Sequence, residues 1–192
     1  VRGAKAHQTG AINSHEIIVM PTLAMSEGDR DYALSFSTPS DAPGVFHIVG
    51  RQVSDTRRLE GGEIDLGNVR YAGHEALVVF EDVFVPWNRV FMCGEHEFSG
   101  ALVERFASYH RQNYGGCKTG LGDVLIGAAA TIAEYNGVEK ASHIREKITE
   151  MIHLNETMYA CGLACSYEGY KLPSGTYVVN PLLANATKQN VT

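Results

Sequence analysis

The sequence is poor in the residues that mark several large protein classes. It has one tryptophan, six prolines and four cysteines among 192 residues. No apolar run approaches the roughly 20 residues that a membrane-spanning helix requires, so a membrane partner is not expected. Cationic excess is missing too: 16 Lys and Arg stand against 22 Asp and Glu, a formal net charge of −6. That balance argues against a sequence-independent grip on nucleic-acid phosphates. Neither nucleotide fingerprint is present. There is no G-x-G-x-x-G, and in Gly116-Cys117-Lys118-Thr119-Gly120 a cysteine stands where a phosphate-binding loop needs its second glycine. Cys93, Cys117, Cys161 and Cys165 show no paired spacing of a secreted disulfide frame, which favours a reducing, cytoplasmic setting. Internal repeats and low-complexity stretches are lacking as well. With 44% hydrophobic and 20% charged residues the composition is that of a globular protein able to bury a core, as one domain or two small ones. The chain opens on Val1-Arg2-Gly3 and stops at Asn190-Val191-Thr192, as expected of a piece of a longer protein. Asn155, Asn185 and Asn190 head Asn-x-Ser/Thr triplets, which are common by chance.

The residues that are present divide into two halves of different period. His15–Met20, Tyr32–Phe36, Gly44–Val49 and Ala76–Val85 are short β-rich runs, punctuated by Pro21, Pro39, Pro43-Gly44, Gly61-Gly62 and Gly73. No helical pattern separates them. The expected fold class is therefore α+β, with a small antiparallel barrel or sandwich over residues 1–92 rather than alternating βαβ units. From residue 93 onward a helical bundle, incomplete at its C-terminus, is expected. Phe98, Leu102, Phe106 and Tyr109 mark one helical face, and Leu121, Val124, Leu125, Ala128, Ala129 and Ile132 mark a second, ending at Asn136-Gly137. A third helix runs through Ala141, Ile144, Ile148, Met151, Asn155, Met158 and Gly162 and is expected to end at Pro173-Ser174-Gly175. Asn180-Pro181 caps and starts a fourth.

Chemistry-bearing residues concentrate between Tyr109 and Lys118. His110, Tyr114 and Cys117 stand at i, i+4 and i+7, one face of an uninterrupted helix. A histidine and a cysteine there suit a soft metal, although an arbitrary pair of this kind is more often a packed histidine and an inert cysteine. Seven residues separate the two Cα atoms by ~10.5 Å. Either a distortion at Gly115-Gly116, which weaken a helix by about 1 kcal/mol each, or a histidine reaching along the axis is expected to shorten that gap. Cys161 and Cys165 make a second i, i+4 pair, read as core packing because no histidine or acid completes a four-ligand set near them. His7 and Thr9, at the edge of the first strand segment, are candidate hydrogen-bond donors to a ligand, and Glu75 opens the last strand.

Lys5-x-x-x-Thr9-Gly10-Ala11 leading into His15-Glu16-Ile17-Ile18-Val19, followed by Val79-Phe80-Glu81-Asp82-Val83-Phe84-Val85-Pro86, resembles the β-domain of flavoproteins with the acyl-CoA dehydrogenase fold. Tyr109-His110-Arg111-Gln112-Asn113-Tyr114-Gly115-Gly116-Cys117-Lys118 is similar to the signature of the 4-hydroxybutyryl-CoA dehydratase/vinylacetyl-CoA Δ-isomerase family. The resemblance runs over essentially the whole chain. It implies a cytoplasmic homotetramer that holds FAD and a [4Fe-4S] cluster and converts an acyl-CoA substrate, 4-hydroxybutyryl-CoA, to crotonyl-CoA by a radical route. His110 and Cys117 would be two cluster ligands. The family's other two form a Cys-x3-Cys pair in an upstream helical domain, and Cys161 and Cys165, lying downstream, do not inherit that role. The isolated segment is expected to be inactive.

By the same resemblance Tyr114 and Glu75 correspond to proton-handling and hydroxyl-positioning groups, and Lys118 to a cation that holds thioester or flavin charge. Thr9, with His7 and Gln8, corresponds to a loop against the flavin. The implied chemistry answers a real difficulty: a thioester barely acidifies the C3 proton, and transient one-electron oxidation of the substrate makes it far more acidic. A rival reading is a flavin-dependent aromatic hydroxylase of the 4-hydroxyphenylacetate 3-monooxygenase type, which needs no iron; another is a non-catalytic scaffold. Replacing His110 by Ala is expected to abolish dehydration by the whole enzyme, and unchanged turnover of that variant would remove His110 from the chemistry.

Overall fold

Among the described residues, alternation of buried and partly exposed positions resolves into six strands in the first part of the chain. A computed structural model describes residues 1–49 and 75–191, which divide between two units, Val1–Ser99 and Gly100–Thr192. The strands are β1 (Gly3–Lys5), β2 (Glu16–Val19), β3 (Leu34–Pro39), β4 (Val45–Val49), β5 (Ala76–Phe80) and β6 (Val90–Cys93). They form two three-stranded antiparallel sheets, ordered β1-β5-β4 and β2-β3-β6. The core lies where these sheets face each other. β5 turns Ala76, Val78 and Phe80 inward, and Phe80 meets Phe36 of β3 edge-on, with ring centroids 6.0 Å apart. Val78 and Val83 are fully buried, each worth roughly 1.5–3 kcal/mol relative to exposure. This is the sandwich alternative. No closed barrel forms among the described residues, because no strand of one sheet hydrogen-bonds to a strand of the other.

The strands differ from the sequence expectation at several points. The last long strand ends at Phe80 rather than Val85, since Asp82 adopts a left-handed φ of 50° that breaks the extended run. Tyr32 closes a 3₁₀ turn, Glu27–Tyr32, whose start is fixed by the Ser26–Asp29 capping box, so β3 begins only at Leu34. β1 and β6, three and four residues long, were too short to show a period. The turns expected at Gly61-Gly62 and Gly73 lie outside the described residues.

The second unit is helical. α1 (Ser99–Tyr135) is one continuous helix of 37 residues, where two successive helices were expected. The reason is steric. A Cβ placed on Gly115 would fall 2.7 Å from the Cα of Gly162 in α2 (Ser142–Tyr167). Gly115 is therefore a point of backbone contact rather than a break. Seven residues on, Gly122 leaves room for Asn155, whose Oδ1 a Cβ would approach to 2.1 Å. Polar bonds flank the contact: Gln112 Nε2 donates to Ser166 Oγ at 2.9 Å, and Asn155 Nδ2 to Asp123 Oδ1 at 2.8 Å. Rising numbers on α1 meet falling numbers on α2, so the pair is antiparallel.

α1 stops as expected at Asn136-Gly137. Gly137 has φ 66°, and the bonds Gly137 N to Glu134 O and Val138 N to Ala133 O complete a Schellman closure. α2 ends at Tyr167, earlier than expected, and Pro173-Ser174-Gly175 instead turns a short hairpin of β7 (Tyr170–Lys171) and β8 (Tyr177–Val178). The fourth expected helix is present as α3 (Pro181–Gln189), with Asn180 Oδ1 accepting from the backbone N–H of Leu182 and Leu183. It packs on α2 through Cys165, Val179 and Ala184. Asn155 is buried, which argues against a glycan at that triplet. Among the described residues no helix is long and apolar enough to cross a membrane.

Gly115→Ala and Gly162→Ala are each expected to lower stability by about 1–3 kcal/mol, because the two backbones must separate. Gly127→Ala, whose Cβ meets nothing within 4 Å, is expected to raise it by up to about 1 kcal/mol. Thermal unfolding of the three variants checks the contrast.

Candidate functional site

In the first unit the strand register assembles the site. β1 pairs with β5 so that Lys5 lies opposite Val78. Continuing that antiparallel register carries the residues after β1 back to the start of β5, and Gln8 N donates to Ala76 O at 2.9 Å. Thr9 consequently reaches Glu75, its hydroxyl donating to the carboxylate across 66 positions of sequence. The loop is bent by two left-handed residues, Gly10 at φ 72° and His7 at φ 58°. A histidine in that region costs energy that neighbouring contacts must offset. Part of the offset is local, since Gln8 Nε2 donates to Ala6 O at 2.7 Å. Thr9, Glu75 and His7 are exposed and Gln8 is half-buried, so their polar groups are open to a ligand.

In the second unit α1 carries His110, Tyr114, Cys117 and Lys118. Phe106, His110 and Tyr114 form a ladder at steps of four. The imidazole stacks on Phe106 at 5.4 Å and meets the Tyr114 ring edge-on at 5.0 Å. Cys117 is an exposed free thiol that accepts a long contact from Asn113 Nδ2 at 3.8 Å. The distortion expected at Gly115-Gly116 does not occur, so only the side chains can shorten the gap between His110 and Cys117. Partial burial lowers the His110 pKa, and the cations Arg111, Lys118 and Lys188 lower it further. All four influences favour the neutral imidazole, the form that ligates metals.

This donor chemistry fits part of an iron–sulfur site: one imidazole favoured in its neutral form and one accessible thiol stand on the same helix face. Two donors are half of a four-donor set. Among the described residues no group of three or more His, Cys, Asp or Glu is placed to hold a metal ion. Cys161 and Cys165 do not supply the remainder. Cys165 is buried, donates its thiol to Asn180 O at 3.2 Å and has its pKa raised by burial, as a packing cysteine does. The exposed polar loop at His7–Thr9 likewise suits the heteroatoms of a planar cofactor such as a flavin. Sequence reasoning missed Lys188, half-buried on α3, whose Nζ lies 5.7 Å from the centroid of the Tyr114 ring. Nothing in the local pattern signals a contact across 74 positions. Phe106 was legible only as a member of an apolar stripe.

The two units have the acyl-CoA dehydrogenase-like architecture. The butyryl-CoA dehydrogenase of Megasphaera elsdenii matches at TM-score 0.60 and 16% identity, covering 99% of this chain and 45% of that one, a likeness of fold alone. The chain belongs to the 4-hydroxyphenylacetate 3-hydroxylase family, whose N-terminal model matches residues 1–92 and whose C-terminal model matches residues 99–192. Within it the sequence is 63% identical over 193 residues to the 4-hydroxybutyryl-CoA dehydratase/vinylacetyl-CoA-Δ-isomerase of Clostridium aminobutyricum, covering 100% of this chain and 39% of that protein. An oxygen-tolerant archaeal 4-hydroxybutyryl-CoA dehydratase from N. maritimus superposes with TM-score 0.82 at 58% identity, covering 98% of this chain and 38% of that one. HpaB, the oxygenase component of 4-hydroxyphenylacetate 3-monooxygenase, solved with FAD and 4-hydroxyphenylacetate, matches at TM-score 0.79 and 26% identity over 97% of this chain and 39% of its own. The chain thus spans about two fifths of the length of these relatives.

The His110 ring is expected to titrate below the ordinary histidine value, so that it stays neutral to lower pH than a free imidazole. Neutralising Lys118 or Lys188 as methionine is expected to raise its midpoint. An NMR pH titration of the ring protons reads both, and a midpoint at or above the ordinary value would refute the assignment.

Proposed function

We propose that the whole protein of which this chain is part is a cytoplasmic homotetrameric dehydratase. It converts 4-hydroxybutyryl-CoA to crotonyl-CoA by a radical route, with associated vinylacetyl-CoA Δ-isomerase activity. The observation that carries this reading is the His110/Cys117 pair, exposed on one face of an unbroken helix, within a chain 63% identical throughout to a dehydratase of that name. FAD, when bound, supplies one-electron oxidation and reduction, and a [4Fe-4S] cluster supplies a Lewis-acidic iron. Residues 1–92 form the flavin-contacting domain, and 93–192 the helical bundle, incomplete at its C-terminal end.

The chain's own residues then take definite parts. His110, whose neutral form is favoured, would be one ligand of the cluster, and its imidazole nitrogen is a base able to hold a substrate proton. Cys117 would hold the same cluster through its sulfur. Glu75, whose carboxylate accepts the Thr9 hydroxyl, and Tyr114 handle the substrate's protons and hold its leaving hydroxyl group. Lys118 places positive charge where the thioester or flavin develops negative charge. His7, Gln8 and Thr9 contact the flavin through the strained loop. One alternative is an aromatic hydroxylase, favoured by the family models and by the likeness to HpaB. That reaction has no use for the His110/Cys117 pair.

Iron, acid-labile sulfide and flavin are to be measured in the full-length protein prepared without oxygen, beside a Cys117→Ala variant. Near-stoichiometric FAD with about four iron and four sulfide per subunit, lost in the variant, is the expected result. Flavin without iron would transfer the assignment to the hydroxylase.

A further inference from the structure

Tyr114 is gripped by a helix that no sequence motif marks. α3 is firmly placed: Asn180 caps it, Pro181 opens it, and Ala184 and Thr187 are completely buried beneath it. Lys188 follows Thr187 directly, so its Cα is fixed against the bundle. On α3 Asn185 and Lys188 stand three residues apart, as Arg111 and Tyr114 do on α1, which puts each pair on one face of its helix. The pairs meet rung on rung. Arg111 Nη1 donates to Asn185 Oδ1, and the Lys188 ammonium lies 5.7 Å from the Tyr114 ring centroid, within the range of a cation–π contact.

Tyr114 is held a second time by the His110 ring at 5.0 Å. Its hydroxyl, by contrast, makes no hydrogen bond to any described residue. A ring fixed by two neighbours with its hydroxyl free is the arrangement a proton-handling phenol needs, because a small misplacement of such a group costs rate steeply. We infer that Lys188 is a positioning residue: seated on the Tyr114 ring, it fixes the phenol in the orientation that presents its hydroxyl to substrate. The inference rests on the dehydratase reading given above. Arg111 serves the same end less directly, by tying α3 to α1 through Asn185.

The test uses the full-length holoenzyme. Lys188→Met keeps the aliphatic stem and removes the charge, while Lys188→Arg keeps a cation able to sit on an aromatic ring. The expected result for Lys188→Met is a kcat lowered about tenfold with KM within about twofold of wild type and FAD and iron contents unchanged. Lys188→Arg is expected to restore most of the rate. Thermal unfolding of Lys188→Met, Tyr114→Leu and the double variant gives a readout independent of turnover, and the two losses in Tm are expected to be less than additive. Unchanged kcat in Lys188→Met, a loss confined to KM, no recovery with arginine, or additive Tm losses would each overturn the inference. If wild-type enzyme does not dehydrate 4-hydroxybutyryl-CoA, the functional reading fails by itself, and the unfolding cycle still reports whether Lys188 grips Tyr114.

Discussion

The contact between Gly115 and Gly162 governs the helical unit. Two helices whose backbones touch cannot slide or rotate without separating, because neither glycine has a side chain to give way. The contact fixes which face of α1 looks at α2. By elimination it also fixes the face that carries Phe106, His110, Tyr114 and Cys117. Gly122 and Asn155, one heptad along, repeat the constraint, and the Asn155–Asp123 bond satisfies a polar side chain that would otherwise be costly at such depth. α3 is then set by its own cap and by the packing of its Ala184 against Cys165 of α2. Its second half brings Asn185 and Lys188 to α1.

In the strand unit the corresponding constraint is register. Thr9 and Glu75 meet because Lys5 pairs with Val78, and a slip of one residue would turn every side chain of β1 to the other face. Both units therefore place their polar groups by backbone geometry rather than by polar attraction. Hydrophobic burial fixes the frame, and the functional side chains stand on its exposed faces. The His7 backbone is the exception, a strained residue kept in place by bonds on either side.

The sequence carried the architecture where the period was long. Twenty-six residues of α2 were legible from its apolar repeat, and α3 from Asn180-Pro181. Short strands such as β1 left no period to read. The paired glycines at 115 and 116 were misleading, because a local rule counts glycine as a weakness in a helix whereas here Gly115 makes close packing possible. Nothing before residue 162 reveals its partner. At the site, the His110–Cys117 spacing was visible, but the neighbours that govern it were not. Lys188 reaches Tyr114 from another helix, and the Thr9–Glu75 bond joins the ends of two neighbouring strands that lie far apart in sequence. Local pattern finds residues of suitable chemistry, and only tertiary contact shows what holds them.

The unbroken course of α1 also makes the step from His110 to Cys117 a gauge of size. With no kink between them, the two Cα atoms stay ~10.5 Å apart. A single ion, with bonds of about 2.0–2.3 Å to nitrogen and sulfur, would require both side chains to lie flat along the helix axis. The His110 ring is not free to do so, pressed as it is between Phe106 and Tyr114. The spacing along an unbroken helix thus suits a bound group with extent of its own better than one small ion held by these two side chains alone.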